Sequence, residues 1–367
     1  MEKNSPSKWT ILNKGNLLML YIHIPFCDSK CFYCSFNSYT NLHHTQNRYV
    51  DALIQQFKFE IQRFKISKFS TIFIGGGTPS TLSTKNLEKL FSVLAPYITN
   101  QTEITTEANP NSASEDWLKT AKKVGINRVS FGVQSFDSHK LKFLGRNHSK
   151  DMAIKSVQNA FKIGFKNINI DLIYDTAVDS RELLNLDIEI AESLPISHIS
   201  LYSLTLEENT PFENREDVKI ENLENTEWII DRVSQKFPQY EISNFGEISQ
   251  HNFGYWEGKN YIGLGSGAVG FFKNQRFYPE TDVEKYIQNP LNIRVEDISN
   301  DDLKFEKIFL GFRSNVGVSK KILNKSEILN ANFLVKNNVL KEKGDRFFNL
   351  NFLLADEIAL QISKDSQ

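Results

Sequence analysis

Short apolar segments alternate with amphipathic helical patterns through the first two thirds of this 367-residue chain. Such alternation predicts parallel strands joined by crossover helices. The predicted strands are Leu17–Ile24, Thr71–Ile74, Glu103–Thr106, Arg128–Gly132, Asn167–Ile173 and His198–Tyr202. The predicted helices between them are Arg48–Phe64, Lys85–Leu94, Ser114–Val124, Met152–Ile163 and Arg181–Ser193.

Six strand–helix units are too few for the familiar closed barrel of eight strands. We therefore predict an α/β fold in which residues 1–215 form an open, partial (β/α)6 barrel, with ligands at the carboxyl ends of its strands. The alternation is lost further on, so residues 216–300 are predicted to be a barrel extension or linker. Residues 301–367 are predicted to form a small, mostly helical domain of the winged-helix kind, with a hairpin around Gly344.

Composition excludes several classes of protein. Hydrophobic residues make up 40% and charged residues 24% of the chain, which is typical of a globular protein. The net charge of -1 gives no basic surface for nucleic acid. No apolar run is long enough to span a bilayer, and residues 1–9 lack the apolar stretch of a secretory signal. We therefore expect a cytoplasmic protein.

All three cysteines, Cys27, Cys31 and Cys34, lie in one short segment with the spacing C-x3-C-x2-C. An odd number of cysteines cannot all pair in disulfides within the chain. Thiolates are the usual ligands of iron–sulfur clusters, and three of them on a [4Fe–4S] cluster leave one iron open. That iron can chelate the amino and carboxylate groups of S-adenosylmethionine (SAM).

Two other interpretations of the cysteines stay open. A structural zinc site needs four ligands, and His23 would be the fourth, although a strand histidine is more often a core residue. The cysteines could also be inert and buried. Tyr33, between the second and third cysteines, can shield a cluster and pack against adenine, or simply pack within its loop.

The segment Tyr21–Cys27 and the cysteine loop resemble the radical SAM superfamily, and more narrowly the family of the oxygen-independent coproporphyrinogen III oxidase. The resemblance extends from about Leu17 to about Ile362. It implies that Cys27, Cys31 and Cys34 hold a [4Fe–4S] cluster, that Tyr33 lies against it, and that SAM binds beside it. It also implies an electron donor such as a flavodoxin or a ferredoxin.

The resemblance further implies a set of SAM contacts at the strand ends. Gly75–Ser80 follows a strand, and its glycines let the backbone approach a ligand closely. This segment lacks the Lys-Ser/Thr ending of a phosphate loop. The implied SAM contacts are Tyr21, Gly76, Gly77, Thr78, Glu107, Gln134, Arg146 and Asp171.

Three of these contacts also have a chemical argument. A buried aspartate such as Asp171 is costly unless it is bonded, and the ribose hydroxyls would serve, with Gln134 sharing that task. The guanidinium of Arg146 suits a carboxylate. The alternative for Glu107 and Arg146 is an ion pair, either mutual or at the surface. One loop departs from the family, since Asp175–Asp179 stands where Gly-Leu-Pro-Gly-Gln is usual, so no substrate contact carries over to it.

Other residues resemble the heme chaperone (HemW) branch of this family. Phe36 occupies the position of a further cysteine in the oxidase, and His251–Trp256 forms a His-Asn-x-x-Tyr-Trp block that Gly263–Gly270 extends. The branch often has histidine where Val269 stands, so that position offers no ligand. His251 can offer an imidazole to heme iron, with Tyr255 and Trp256 stacked on the porphyrin. The alternative is a loop histidine with two core aromatics.

The function predicted from this resemblance is that of a heme chaperone. It would bind heme and hand it to heme-accepting apo-proteins, including membrane-associated ones, with the cluster and SAM supporting assembly or transfer. The alternative is an oxygen-independent coproporphyrinogen III oxidase, which decarboxylates its substrate oxidatively.

Overall fold

The computed structural model of this chain describes residues 18–364, so Leu17, the first residue of the predicted opening strand, lies outside it. All six predicted strands form, and neighbours along the chain pair in parallel. The predicted α/β fold with an open, partial barrel is confirmed. The strands are β1 (Leu18–Ile24), β2 (Phe69–Gly76), β3 (Glu103–Ala108), β4 (Arg128–Gln134), β5 (Asn167–Tyr174) and β6 (His198–Ser203).

Helices cover the outer face of these strands, and serines mark where several of them begin. Ser83, Ser149 and Ser180 each accept a hydrogen bond from the backbone N–H three residues further on, which satisfies a donor that the helix cannot pair itself. All five predicted helices form, and a short one precedes Arg146. The helices are α1 (Gln46–Phe64), α2 (Thr84–Leu94), α3 (Glu115–Lys123), α4 (Ser138–Phe143), α5 (Lys150–Ile163) and α6 (Arg181–Ser193).

The sheet continues past the six predicted strands at both edges. One further strand pairs antiparallel with β6, and another pairs in parallel with β1, which therefore lies inside the sheet. The added elements are α7 (Leu223–Ser234), β7 (Asn244–Gly246), α8 (Gln250–Trp256), β8 (Tyr261–Leu264), β9 (Gly270–Phe272), β10 (Gln275–Pro279), α9 (Val283–Gln288) and β11 (Ile293–Asp297). The 11 strands run in the order β11-β10-β9-β8-β1-β2-β3-β4-β5-β6-β7, and the two outer strands do not pair with each other within residues 18–364.

The C-terminal segment packs around a hydrophobic core of its own, to which Ile308, Phe312, Phe347 and Ile358 contribute. A hairpin turns at Gly344, whose φ of 62° is in the region that glycine tolerates best. Within residues 18–364, no helix has the length and apolar character that crossing a membrane requires. The segment contains α10 (Asn300–Phe312), β12 (Val318–Ser319), α11 (Lys325–Lys336), β13 (Leu340–Lys343), β14 (Arg346–Asn349) and α12 (Ala355–Ser363).

Candidate functional site

The side chains that point inward from the barrel strands line one cavity of about 440 Å³. Its volume is within the roughly 300–1,000 Å³ of small-molecule sites. Strand alternation explains the lining, because every second residue of β4, from Arg128 through Ser130 and Gly132 to Gln134, faces inward. The structure brings most of the predicted site residues to this cavity: Cys27, Cys31, Tyr33, Cys34, Gly76, Gly77, Thr78, Glu107, Gln134, Arg146 and Asp171.

Backbone hydrogen bonds hold the cysteine loop, one within the loop and one to the segment that follows α4. The N–H of Cys27 donates to the carbonyl of Tyr39 at 3.1 Å, and the N–H of Phe32 donates to the carbonyl of Leu144 at 3.1 Å. All three thiols are free, and burial raises the pKa of Cys27 and of Cys34. An electron-poor metal centre would reverse that shift, since it binds the thiolate form.

The arrangement of the thiols bears on the choice between a cluster and a single metal ion. Within residues 18–364, no three His, Cys, Asp or Glu side chains converge closely enough to share one ion. In an iron–sulfur cluster each thiolate binds a different iron, so that convergence is not required. His23 is also unavailable as a fourth zinc ligand, because its Nε2 lies 2.7 Å from the carbonyl of Asn37 and its Nδ1 lies 3.0 Å from the Tyr21 hydroxyl.

The glycine segment is held against the end of β1. The N–H of Gly77 donates to the carbonyl of Ile24 at 2.8 Å, and that of Thr78 donates to the carbonyl of Phe26 at 2.8 Å. Thr78 Oγ1 lies 3.4 Å from Cys27 Sγ. A Cβ on Gly77 would lie 2.8 Å from the carbonyl oxygen of Phe26, so only a glycine allows this close approach to the cysteine loop.

Two carboxyl groups face the cavity floor. Burial raises the pKa of Glu107 to about 8, helped by the nearby Asp171, although the N–H of Gly76 donates to Glu107 Oε2 at 3.1 Å. Burial also raises the pKa of Asp171, whose Oδ1 accepts a hydrogen bond from Asn169 Nδ2 at 2.7 Å. Glu107, which keeps its proton at neutral pH, can donate to a ligand as well as accept from it.

Arg146 is buried and bonded to the cavity wall. Its Nη1 lies 3.2 Å from Cys31 Sγ, and its Nη2 donates to Asn109 Oδ1 at 2.9 Å. Its Nε has no hydrogen-bond partner within the part of the chain that the structure describes. No ion pair joins Arg146 to Glu107 in residues 18–364, so the structure does not support that alternative.

Sequence reasoning missed three features of the cavity. Arg128 is 2% exposed and lines the floor, and its Nε lacks a hydrogen-bond partner in residues 18–364. Asn109 links Arg146 to Thr78, whose Oγ1 accepts from Asn109 Nδ2 at 3.1 Å. Gln134 has a φ of 67° at an irregularity in β4, and such strain concentrates at functional sites. Because every second residue of β4 faces inward, the sequence pattern could have indicated that Arg128 lines the cavity.

Two predicted residues do not line the cavity. Tyr21 lies on β1, where its hydroxyl contacts His23 and its ring stacks on Phe73 at a centroid distance of 6.3 Å. His251 is fully buried, with Nδ1 2.7 Å from Thr71 Oγ1 and Nε2 2.9 Å from the Tyr255 hydroxyl. Burial lowers the pKa of His251 to about 3. Heme ligation by His251 stays a prediction, and in this structure both ring nitrogens contact side chains in the interior.

The altered loop at Asp175–Asp179 also lies outside the cavity lining. Lys140, a fully buried cation, places its Nζ 2.6 Å from Asp179 Oδ1, and the N–H of Thr176 donates to Asp179 Oδ2 at 2.8 Å. The N–H of Ala177 donates to the carbonyl of Val218. The loop is thus folded onto the chain around residue 218.

The protonation of Glu107 gives a test of this geometry. Because its folded-state pKa of about 8 lies above the ordinary 4.5, the folded chain retains this proton between those values and loses stability as pH rises through them. Glu107→Gln cannot ionise, so we expect it to gain stability relative to the wild type by about 2 kcal/mol between about pH 5 and pH 8. Urea denaturation of the cluster-loaded protein without SAM would measure this difference. Glu208→Gln, at an exposed position, is the control. If the free energy of unfolding depends on pH in the same way in Glu107→Gln and in the wild type, the raised pKa of Glu107 is contradicted.

A three-cysteine loop after the first strand of a partial barrel, above a polar cavity, is the architecture of radical SAM proteins. The profile of the radical SAM superfamily matches residues 21–186, from β1 into α6. The coproporphyrinogen III oxidase HemN from Escherichia coli has the same fold, with a TM-score of 0.82 over 95% of this chain and 90% of that chain, at 20% identity.

Curated relatives place the chain more narrowly. The heme chaperone HemW of Lactococcus lactis is 36% identical over 81% of this chain and 82% of its own length. That of Bacillus subtilis is 36% identical over 82% of this chain and 84% of its own length. The chain therefore belongs to the HemW family of radical SAM proteins.

Proposed function

We propose that this protein is a heme chaperone, which binds heme and transfers it to acceptor proteins. The observation that carries this proposal is the 36% identity, over more than four fifths of both chains, to a relative named as a heme chaperone. The likeness to the oxidase is one of fold, at 20% identity. Phe36, in the position of the oxidase's further cysteine, is 60% exposed and offers no ligand.

We assign the cluster to Cys27, Cys31 and Cys34, and SAM to the cavity beside them. A bound [4Fe–4S] cluster supplies one-electron chemistry and an iron that can chelate the amino and carboxylate groups of SAM. The three free thiols and the unpartnered Nε of Arg146 support this assignment. Asp171 and Gln134 also line the cavity, and we assign the ribose hydroxyls of SAM to them.

The residues around the cavity orient these groups. Arg146 places its positive charge beside the sulfur of Cys31, with Nη1 3.2 Å from Sγ. Thr78 contacts Cys27 and receives a hydrogen bond from Asn109, so it joins the glycine segment to the cysteine loop. Asn37 fastens the far end of the loop, because its Nδ2 donates to the carbonyls of Ser266 at 3.1 Å and Thr281 at 2.9 Å.

The partners follow from the proposed activity. Heme is the ligand, and apo-proteins that need heme, including membrane-associated ones, are the acceptors. A flavodoxin or a ferredoxin would reduce the cluster. We also propose the division into a barrel unit over residues 1–215, an extension over 216–300 and a small unit over 301–367, and a cytoplasmic location.

Anaerobic reconstitution followed by hemin titration tests the proposed function. We expect the purified protein to bind hemin with a saturable Soret change and to pass it to an added apo-globin. The same preparation, with SAM and a reductant, should leave coproporphyrinogen III unconverted. Steady conversion over many turnovers would instead identify an oxidase, and a failure to bind hemin would remove the chaperone assignment.

A further inference from the structure

A second cavity, of about 750 Å³, lies between α8, the strands β8 and β9, and α10. It adjoins the cluster cavity, because Tyr202 and Asn252 line both. Asn252 directly follows the buried His251, so α8 separates the barrel interior from this second space. The second cavity is thus a neighbouring site with its own walls.

Aromatic side chains form part of the wall of the second cavity. Tyr255 and Trp256 contribute from α8, and Tyr261 and Phe271 from the adjoining strands. Tyr255 meets Tyr261 edge to face at a centroid distance of 4.7 Å, which holds the two rings in fixed orientations. Such walls suit a large planar ligand, since aromatic rings bury much apolar area with little loss of conformational freedom.

Cations from the C-terminal segment and the sheet edge also line this cavity. Arg276 pairs with Glu306, and Arg313 pairs with Asp356 through two hydrogen bonds, of 2.8 and 2.7 Å. Lys307, on α10, is exposed and has no ion-pair partner in residues 18–364. An exposed, unpaired lysine beside apolar walls matches a ligand that is apolar over its body and carries carboxylates at one edge.

The inner wall is polar and buried. Glu241 is 0% exposed, and its Oε1 lacks a hydrogen-bond partner in the described part of the chain, as does Oδ1 of Asn244. Both residues belong to the cavity lining and give this wall its polar character.

We infer that the second cavity holds the heme, with the aromatic walls against the macrocycle and Lys307 beside its carboxylates. This inference rests on the proposed heme chaperone function and adds the place of binding. Of the side chains that commonly ligate heme iron, the cavity lining offers only tyrosines, and it contains no His, Cys or Met. Hemin bound there is therefore not expected to show the spectrum of two histidine ligands.

Hemin titration of the reconstituted full chain tests the site. Leu310→Trp fills the cavity from α10 and is expected to weaken hemin binding about ten-fold or more, while the cluster absorbance stays intact and reports a folded barrel. Lys307→Glu is expected to weaken it about five-fold, and the matched control Lys336→Glu, exposed on α11, to leave it unchanged. The dimethyl ester of hemin, which lacks free carboxylates, should not distinguish Lys307→Glu from the wild type.

The outcomes separate this inference from the function on which it rests. If the wild type binds hemin and Leu310→Trp and Lys307→Glu bind it equally well, the heme lies elsewhere and only the inference fails. A low-spin spectrum typical of two histidine ligands would also overturn it. If the wild type binds no hemin, the proposed function itself fails.

Discussion

Replacing any one of Cys27, Cys31 and Cys34 by Ala should abolish the broad charge-transfer absorbance of the anaerobically reconstituted protein. The chain has no fourth cysteine to substitute for the lost thiol, and His23 is engaged with Asn37 and Tyr21. A cluster with two protein ligands would be exposed to loss of iron. Iron and sulfide content per chain, measured beside the absorbance, should fall from about four to near zero.

Two controls make this result specific. Phe36→Leu lies in the same loop and removes no ligand, so its iron content should equal that of the wild type. Circular dichroism of each cysteine variant should show retained secondary structure, because none of the three thiols belongs to the hydrophobic core clusters. A cluster at full strength in two of the three alanine variants would end this assignment.

Gly76→Ala should destabilise the fold and impair SAM binding together. Gly76 has a φ of 112°, and a Cβ there would lie 2.6 Å from the ring of His23. That ring cannot retreat without breaking its contacts with Tyr21 and Asn37. We expect the free energy of unfolding to fall by about 2–4 kcal/mol and SAM affinity to fall at least about ten-fold. Chemical denaturation and calorimetric SAM titration would measure the two effects.

Gly344→Ala is the matched control for this substitution. Gly344 also has a positive φ, of 62°, but a Cβ there meets nothing within 4 Å. Gly344→Ala should therefore lower the free energy of unfolding only by the backbone strain, about 1 kcal/mol, and leave SAM binding unchanged. Equal losses of stability in the two variants, with normal SAM affinity in Gly76→Ala, would contradict a role for the glycine segment at the SAM site.

The barrel strands were predictable because their signals are local. A strand such as β5 is an apolar run, and a helix such as α6 begins after a serine that caps it. Predicted and observed bounds for these elements differ by few residues, Arg181–Ser193 being identical. The residues at the carboxyl ends of these strands share the cavity because parallel strands end on the same side.

Long-range pairing was not predictable in the same way. Strand β8 has only four residues, and its place beside β1 depends on a contact between segments far apart in the chain. The position of His251 also depends on tertiary packing, since Thr71 on β2 binds one of its nitrogens. Its contact with Tyr255, four residues further along α8, was the one local signal that the histidine has a partner.

The central position of β1 has a consequence for the synthesis of the protein. Domains generally begin to fold from the N-terminal side as the chain leaves the ribosome. Here β1 needs β2 on one side and β8, which begins at residue 261, on the other, and the cysteine loop is fastened through Asn37 to Ser266 and Thr281. The three thiols are therefore made early but held in place late. Any translation product that stops short of these segments has the bond from Phe32 to Leu144 but lacks the bonds of Asn37, so the cysteine loop is fully held only when the barrel is complete.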